Sequence, residues 1–549
     1  MISSTWNWMW EKHDELKSFF TFFVQANSSR LSTGRSIDPS DSLVGNNNDP
    51  GKNRNYKPGQ LIGLIAGPLL FTITLLFFSP EDLSQQGLAV LASTIWVAIW
   101  WMTEAIPIPA TSLLPIILFP LTGGLDIGTT TSSYGSDTIF LFMGGFMIAL
   151  AMEKWNLHRR IALSIISVIG TNTNRIILGF MVATGFLSMW ISNTATAMMM
   201  VPIGLAIIYQ ISDALKDDPS IDTSKENFAF GKALMLSIAY SASVGGIATL
   251  IGTPPNAALA GVINKMYGIE LSFAKWMLFG VPIAWVFIFI IWFYLIKIAY
   301  PLKLKQLPGG KALIHQEKQK LGKPSAEEKA VFTVFILAAL AWITRSFLLV
   351  QINPNINDAI IAMSAAILLF LLPSKNYKDT FLLDWNTAVK LPWGILLLFG
   401  GGLAVAAGFT QSGLSEWIGN QLTALQGIHI FIVLLVVAGL VIFLTEITSN
   451  TATANMMYPI MAALALALGV HPFVVMIAAG VASSCAFMLP VATPPNAVVF
   501  GSGYLRIPDM VKAGVALNII GSILVTVAIY FLLPILWGIN ITEVPDFVK

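Results

Sequence analysis

Charge is scarce in this chain: Asp, Glu, Lys and Arg make up 11% of its 549 residues, while 55% are hydrophobic. Soluble globular domains carry roughly a quarter charged residues, so that class is excluded. A net charge of +2 gives no footing for nucleic acid. The single cysteine, Cys485, excludes an intramolecular disulfide, and its apolar neighbours mark it as a packed thiol. The five histidines show no metal-ligand spacing, and no nucleophile stands beside a base. The expectation is therefore not an enzyme, with no organic cofactor.

What remains is long apolar runs. They recur from about 60–79 to 511–537, many of them near the ~20 residues that cross a bilayer, which predicts an all-α polytopic membrane protein. Two stretches differ, about 175–209 and 428–468. Each is apolar throughout yet interrupted near its middle by a polar motif, and two half-length helices joined at a tip describe it better than one crossing. Seven Lys and Arg precede residue 58, and eight lysines lie from Lys297 to Lys329. Both stretches are expected to face the cytoplasm, which puts the N-terminus inside and, with five further crossings, the C-terminus outside.

Four regions follow: 1–59, an amphipathic segment and flexible tether; 60–298, a first membrane half; 299–328, a cytoplasmic Lys-rich linker; and 329–549, a second half. In the first region Trp6, Met9, Trp10, Leu16, Phe20 and Phe23 recur at helical spacing, read as an interfacial helix and not a secretory signal.

The halves repeat. Sliding the chain by 257 residues aligns 184–204 with 441–461 at 12 identities in 21, and superposes Ser192-Asn193-Thr194 on Ser449-Asn450-Thr451. A second motif follows each: Thr253-Pro254-Pro255-Asn256-Ala257 and Thr493-Pro494-Pro495-Asn496-Ala497. The first half has 17 more residues between its motifs, mostly the polar segment Ser212 to Glu226, read as a surface loop. With five crossings in each repeat, the halves are inverted relative to one another.

Small polar groups at membrane depth need partners that lipid cannot supply. At each Ser-Asn-Thr tip one half-helix ends and another begins, and the free N–H groups of the second attract an anion. Two tips could each hold one carboxylate of a dicarboxylate. The paired prolines of the second motif leave carbonyls without helical partners, which suit a hard cation such as Na⁺. No Lys or Arg lies in 176–215 or in 430–505, so a buried dianion is expected to need co-bound cations.

Here the sequence resembles the divalent-anion/sodium symporter family, the sodium-coupled dicarboxylate, citrate and sulfate carriers. The resemblance runs from about residue 60 to the end and is densest in Ser483-Ser484-Cys485-Ala486-Phe487-Met488-Leu489-Pro490-Val491-Ala492-Thr493-Pro494-Pro495-Asn496-Ala497-Val498-Val499, with Trp101-Met102-Thr103-Glu104-Ala105-Ile106-Pro107 and the paired Ser-Asn-Thr in support. It implies an inverted-repeat transporter of about 11 transmembrane helices and two re-entrant helical hairpins, a homodimer, a plasma (inner) membrane location and an elevator movement. Carried over by position, one Na⁺ would be held by Ser188, Ser192, Asn193 and Gly252, and a second by Thr445, Thr448, Asn450 and Ala492. The anion would be met by Ser192, Asn193, Thr194, Ser449, Asn450 and Thr451, supported by Thr253, Thr493 and Pro494.

The function expected is Na⁺-coupled import of C4-dicarboxylates such as succinate, malate or fumarate. A sulfate or citrate carrier, or a dicarboxylate exchanger, remains open on the same scaffold. Glu446, beside the second tip, is read as a structural acid bonded to backbone; Glu104 as structural, near the membrane edge; and the Gly144-Gly145 and Gly400-Gly401-Gly402 clusters as close helix packing.

Overall fold

The computed structural model describes residues 56–80, 82–170, 172–215, 222–225, 227–302 and 310–548. The expected interfacial helix and most of the tether, part of the surface loop and part of the linker lie outside them. Among the described residues the secondary structure is helical, without strands beyond one isolated bridge between Pro373 and Phe381. Among the described residues, nine helices are long and apolar enough to cross a membrane, and four shorter apolar ones accompany them. The nine include Asn193–Ala214 and Asn450–Leu468, each of which starts at a tip motif, so length alone does not separate crossings from hairpin arms.

The first half runs α1 Pro58–Phe77, α2 Gln85–Thr103, α3 Ile108–Thr122, α4 Asp137–Lys154, α5 Leu157–Ile169, α6 Thr173–Ser188, α7 Asn193–Ala214, α8 Ala229–Gly246, α9 Pro254–Tyr267 and α10 Phe273–Tyr294. The second runs α11 Ala326–Thr344, α12 Asp358–Leu371, α13 Trp393–Gln411, α14 Leu414–Gln421, α15 Ile430–Thr445, α16 Asn450–Leu468, α17 Pro472–Ser483, α18 Pro494–Phe500 and α19 Ile507–Val527. Between them a helix at Gly310–Lys320 carries Glu317, which pairs with Arg159 of α5 at 2.8 Å. Arg160 reaches Glu328 at 2.5 Å, so the turn at His158 to Arg160 anchors the linker.

Apolar faces drive the packing, but small residues set how close the helices come. A Cβ on Gly144 would lie 2.6 Å from the Ala362 carbonyl carbon, and one on Gly401 would lie 2.6 Å from Ser112 O. Both clusters are sites of backbone contact, α4 on α12 and α13 on α3.

The motif-bearing elements exchange partners between halves. The helix that opens at the second Thr-Pro-Pro-Asn, α18, packs against α7 and α8, while α9, which opens at the first, packs against α16 and α17. Each tip is therefore enclosed partly by the other half's broken helix.

Candidate functional site

Two kinds of chain break build the site. The first is the tip: α6 ends at Ser188 and α7 starts at Asn193, as α15 ends at Thr445 and α16 starts at Asn450. Ser192 Oγ accepts from Ala195 N at 3.2 Å and so caps α7. The second is the interrupted helix, where α8 stops at Gly246 and α9 begins at Pro254, and α17 stops at Ser483 and α18 begins at Pro494. Proline at the first helical positions forces the preceding residue to be extended. Thr253 has φ −139°, ψ 139° and Thr493 has φ −140°, ψ 149°.

The motif asparagines hold these interruptions in shape. Asn256 Nδ2 donates to Ile247 O at 3.0 Å and Thr249 O at 2.8 Å, and Asn496 Nδ2 donates to Ala486 O at 3.2 Å and Leu489 O at 3.0 Å. Thr249 ties the first interruption to the first tip: its Oγ1 donates to Met189 O at 2.5 Å and accepts from Gly252 N at 3.0 Å. In the second half a carboxylate takes that place. Glu446 Oε1 accepts from Phe487 N at 2.7 Å and Met488 N at 2.8 Å, and Oε2 from Leu489 N at 3.0 Å.

Behind each tip lies a cluster of oxygens. Ser188 Oγ, fully buried, bonds Asn193 Oδ1 and donates to Ala242 O at 2.6 Å. The same corner of the Asn193 amide lies 3.1 Å from Ala242 O and 3.2 Å from Gly252 O. With nitrogen at that corner the contacts are satisfied, the two amide protons being shared among the three acceptors. The approach needs glycine: a Cβ on Gly246 would sit 2.8 Å from Asn193 Oδ1 and 2.9 Å from Gly252 O. At the second tip Thr445 Oγ1, also fully buried, lies 2.6 Å from Asn450 Oδ1 and 3.1 Å from Ser483 O. Thr448 turns its hydroxyl to Leu444 O at 2.8 Å and to Thr453 Oγ1 at 2.6 Å.

In front of the tips is a cavity of about 860 Å³. All nine residues expected to meet the anion line it: Ser192, Asn193, Thr194, Ser449, Asn450, Thr451, Thr253, Thr493 and Pro494. Gly252, Thr448 and Ala492 line it too, while Ser188 and Thr445 stand behind the lining. Lys57, Gln60 and Glu104 also belong to the wall. Glu104 thus joins the cavity wall as well as serving structure, and a lysine from outside the two motif regions is added. Glu104 adopts a left-handed backbone, φ 48°, and its carbonyl accepts from Gln60 Nε2 at 2.9 Å, fastening the start of α1 to the end of α2. Both Lys57 and Glu104 are exposed, so the charges stand at the mouth and the tips are neutral.

The family model for the sodium:sulfate symporter transmembrane region matches residues 59–539. The chain belongs to this family. It is 51% identical over 496 residues to a sodium-dependent dicarboxylate transporter of Staphylococcus saprophyticus, covering 90% of this chain and 95% of that one. The corresponding transporter of Staphylococcus aureus is 52% identical over 495 residues, with the same coverage. Among solved structures, the YdaH transporter of Alcanivorax borkumensis aligns with a TM-score of 0.52 at 13% identity, over 83% of this chain and 98% of that one. MtrF of Neisseria gonorrhoeae, from a class of antimetabolite efflux pumps, gives 0.51 at 13% identity, over 87% and 96%. These two likenesses speak to the fold alone, an all-helical membrane transporter architecture.

Proposed function

We propose that this protein is a secondary active transporter that imports C4-dicarboxylates such as succinate, malate and fumarate together with Na⁺. The observation that carries the reading is the convergence of the Asn193 amide corner with Ser188 Oγ, Ala242 O and Gly252 O. Ser188 Oγ, Ala242 O and Gly252 O are neutral oxygens of one buried cluster behind a tip that lines the cavity, the kind of ligand a desolvated alkali cation takes. The names of the staphylococcal relatives, sodium-dependent dicarboxylate transporters, support the same pairing of ion and substrate.

In this reading Ser188, Ser192, Asn193 and Gly252 hold one Na⁺, and Thr445, Thr448, Asn450 and Ala492 hold another. Each carboxylate of the dianion rests on one tip, at Ser192, Asn193 and Thr194 and at Ser449, Asn450 and Thr451, with Thr253, Thr493 and Pro494 closing the site. Both asparagines then lie between cation and anion, donating through nitrogen and accepting through oxygen. Burying two negative charges among neutral groups costs more than helix ends return, so the cations make substrate binding possible and coupling follows.

Lys57 at the cavity mouth lies on the segment whose positive charges are read as cytoplasmic, which supports an opening to that side. Release into the cytoplasm is then the step the conformation represents, with the C-terminus outside. An elevator movement of the tip-bearing helices within a homodimer is the accompanying proposal.

The test is uptake of radiolabelled succinate into proteoliposomes with an imposed Na⁺ gradient. Accumulation is expected to vanish without Na⁺ and to be lost when Asn193 and Asn450 are both alanine. Accumulation indifferent to Na⁺ sinks the proposal. A competition panel of succinate, citrate and sulfate separates the C4-dicarboxylate reading from a carrier of either other anion, and efflux driven by external succinate without Na⁺ would identify an exchanger.

A further inference from the structure

Each interrupted helix is held by a tyrosine from the other half of the chain. Tyr240 of α8 donates its hydroxyl to Phe487 O at 2.8 Å, inside the interruption between α17 and α18. Tyr458 of α16 donates to Pro255 O at 2.7 Å, in the first turn of α9. Both side chains are 0% exposed. Each stands near one oxygen cluster and reaches toward the other. Tyr240 is two residues from Ala242, whose carbonyl faces Asn193, while Phe487, which it holds, also gives its N–H to Glu446 beside Thr445. Tyr458 lies on the helix that opens with Asn450, and Pro255 follows closely on Gly252. A buried contact of 3.4 Å between Thr253 Oγ1 and Ser484 Oγ joins the two interruptions directly.

We propose that Tyr240 and Tyr458 are positioning residues that couple the two cation sites, so that filling one orders the carbonyls of the other. The proposal rests on the cation-coupled reading above. A cation at the first cluster fixes Ala242 O and Gly252 O. The first fixes α8 and thereby Tyr240 against the second interruption, and the second fixes the start of α9 against Tyr458 and the second tip. A buried carbonyl has few alternative donors, so each hydroxyl restricts where its target carbonyl can point. By linkage the coupling is reciprocal: each site must favour the other by the same factor.

The experiment uses the full chain in proteoliposomes, with succinate uptake measured against Na⁺ for wild type, Tyr240→Phe, Tyr458→Phe and the double variant. Wild type is expected to respond steeply, with a Hill coefficient above one. Each phenylalanine variant should keep its maximal rate at saturating Na⁺ while the Hill coefficient falls towards one and half-saturation rises about tenfold, the size of one lost buried hydrogen bond. The double variant should be no flatter than the singles, since either break severs the exchange. A wild-type coefficient of one, or variants as steep as wild type, overturns the coupling and leaves the tyrosines as ordinary packing. Wild-type uptake without any Na⁺ dependence instead sinks the cation-coupled reading itself. If the phenylalanine variants do not fold, Gly480→Ala carries the test: its Cβ would lie 2.9 Å from Tyr458 Oη and push the hydroxyl aside, which should flatten the Na⁺ response, and unchanged steepness in it overturns the proposal.

Discussion

Thr445 Oγ1 lies 2.6 Å from Asn450 Oδ1, and at the other tip Ser188 Oγ meets the amide of Asn193 in the corresponding way. The sequence offset of 257 residues thus returns as one geometry, a hydroxyl at the end of the first arm set on the amide that starts the second. If that hydroxyl ligates Na⁺, Thr445→Val keeps the side chain's outline and removes one ligand oxygen. The Na⁺ half-saturation of uptake should rise about tenfold, the equivalent of ~1.4 kcal/mol, with the rate at saturating Na⁺ largely kept. An unchanged Na⁺ dependence with lowered thermal stability would leave Thr445 a structural donor only.

Gly252 has no room for a side chain, because a Cβ there would fall on the Gly246 carbonyl, a backbone atom that cannot rotate aside. Gly252→Ala should displace the first interruption from the first tip and cut succinate uptake to less than about a tenth, with the protein still inserted in the membrane. Gly135→Ala, which meets nothing within 4 Å, is the matched control and should transport normally. Equal uptake by both variants would show that the close approach of Gly246 and Gly252 has no part in transport.

The tips were legible in the sequence because duplication singles them out, and the paired prolines located the interruptions because proline chemistry is local. All nine residues that the family resemblance gave as anion contacts line one cavity. The tyrosines carried no such signal. Their partners are backbone carbonyls 247 and 203 residues away, and nothing in a tyrosine's neighbours foretells a contact of that range. Asn256 and Asn496 were visible as motif members, yet their work of holding several carbonyls in place emerges only once the helix is seen to stop. That Glu104 also reaches the cavity wall was not legible, because the left-handed turn at φ 48° that brings it there is a property of the folded backbone.

The linker helix should detach from the membrane part as pH falls. Lys320 donates to Glu317 Oε1 at 2.5 Å and Arg159 to Oε2 at 2.8 Å, and these bonds hold the Glu317 carboxyl below its ordinary range. A lowered folded-state pKa means stabilisation that is complete above the unfolded value, roughly 4.3, and lost as pH falls through the folded one. Glu317→Gln should therefore melt below wild type at neutral pH, and the gap should close as pH falls below the unfolded value and through the lower folded one. A gap that persists at low pH would trace the loss to packing, not to the charge.

Glu446 separates a structural acid from a proton carrier. Its two oxygens accept from the N–H groups of Phe487, Met488 and Leu489, and Oε1 also accepts from Asn518 Nδ2 at 2.8 Å, so donors face the carboxylate on both sides. In Glu446→Gln the new amide nitrogen must point at one of those N–H groups whichever way it turns, which loses an accepted bond and leaves a buried donor unmet. The expected cost is about 2–3 kcal/mol of stability, from the loss of a charge-assisted bond. Because the second interruption carries Ala492 and Thr493, the same variant should also weaken Na⁺ binding. A proton carrier predicts the opposite pattern, since neutralising it would abolish any pH dependence of uptake and leave the melting temperature almost untouched. Measuring both quantities on one preparation decides between them: a destabilised variant whose residual uptake keeps the wild-type pH profile assigns Glu446 to holding the interruption open.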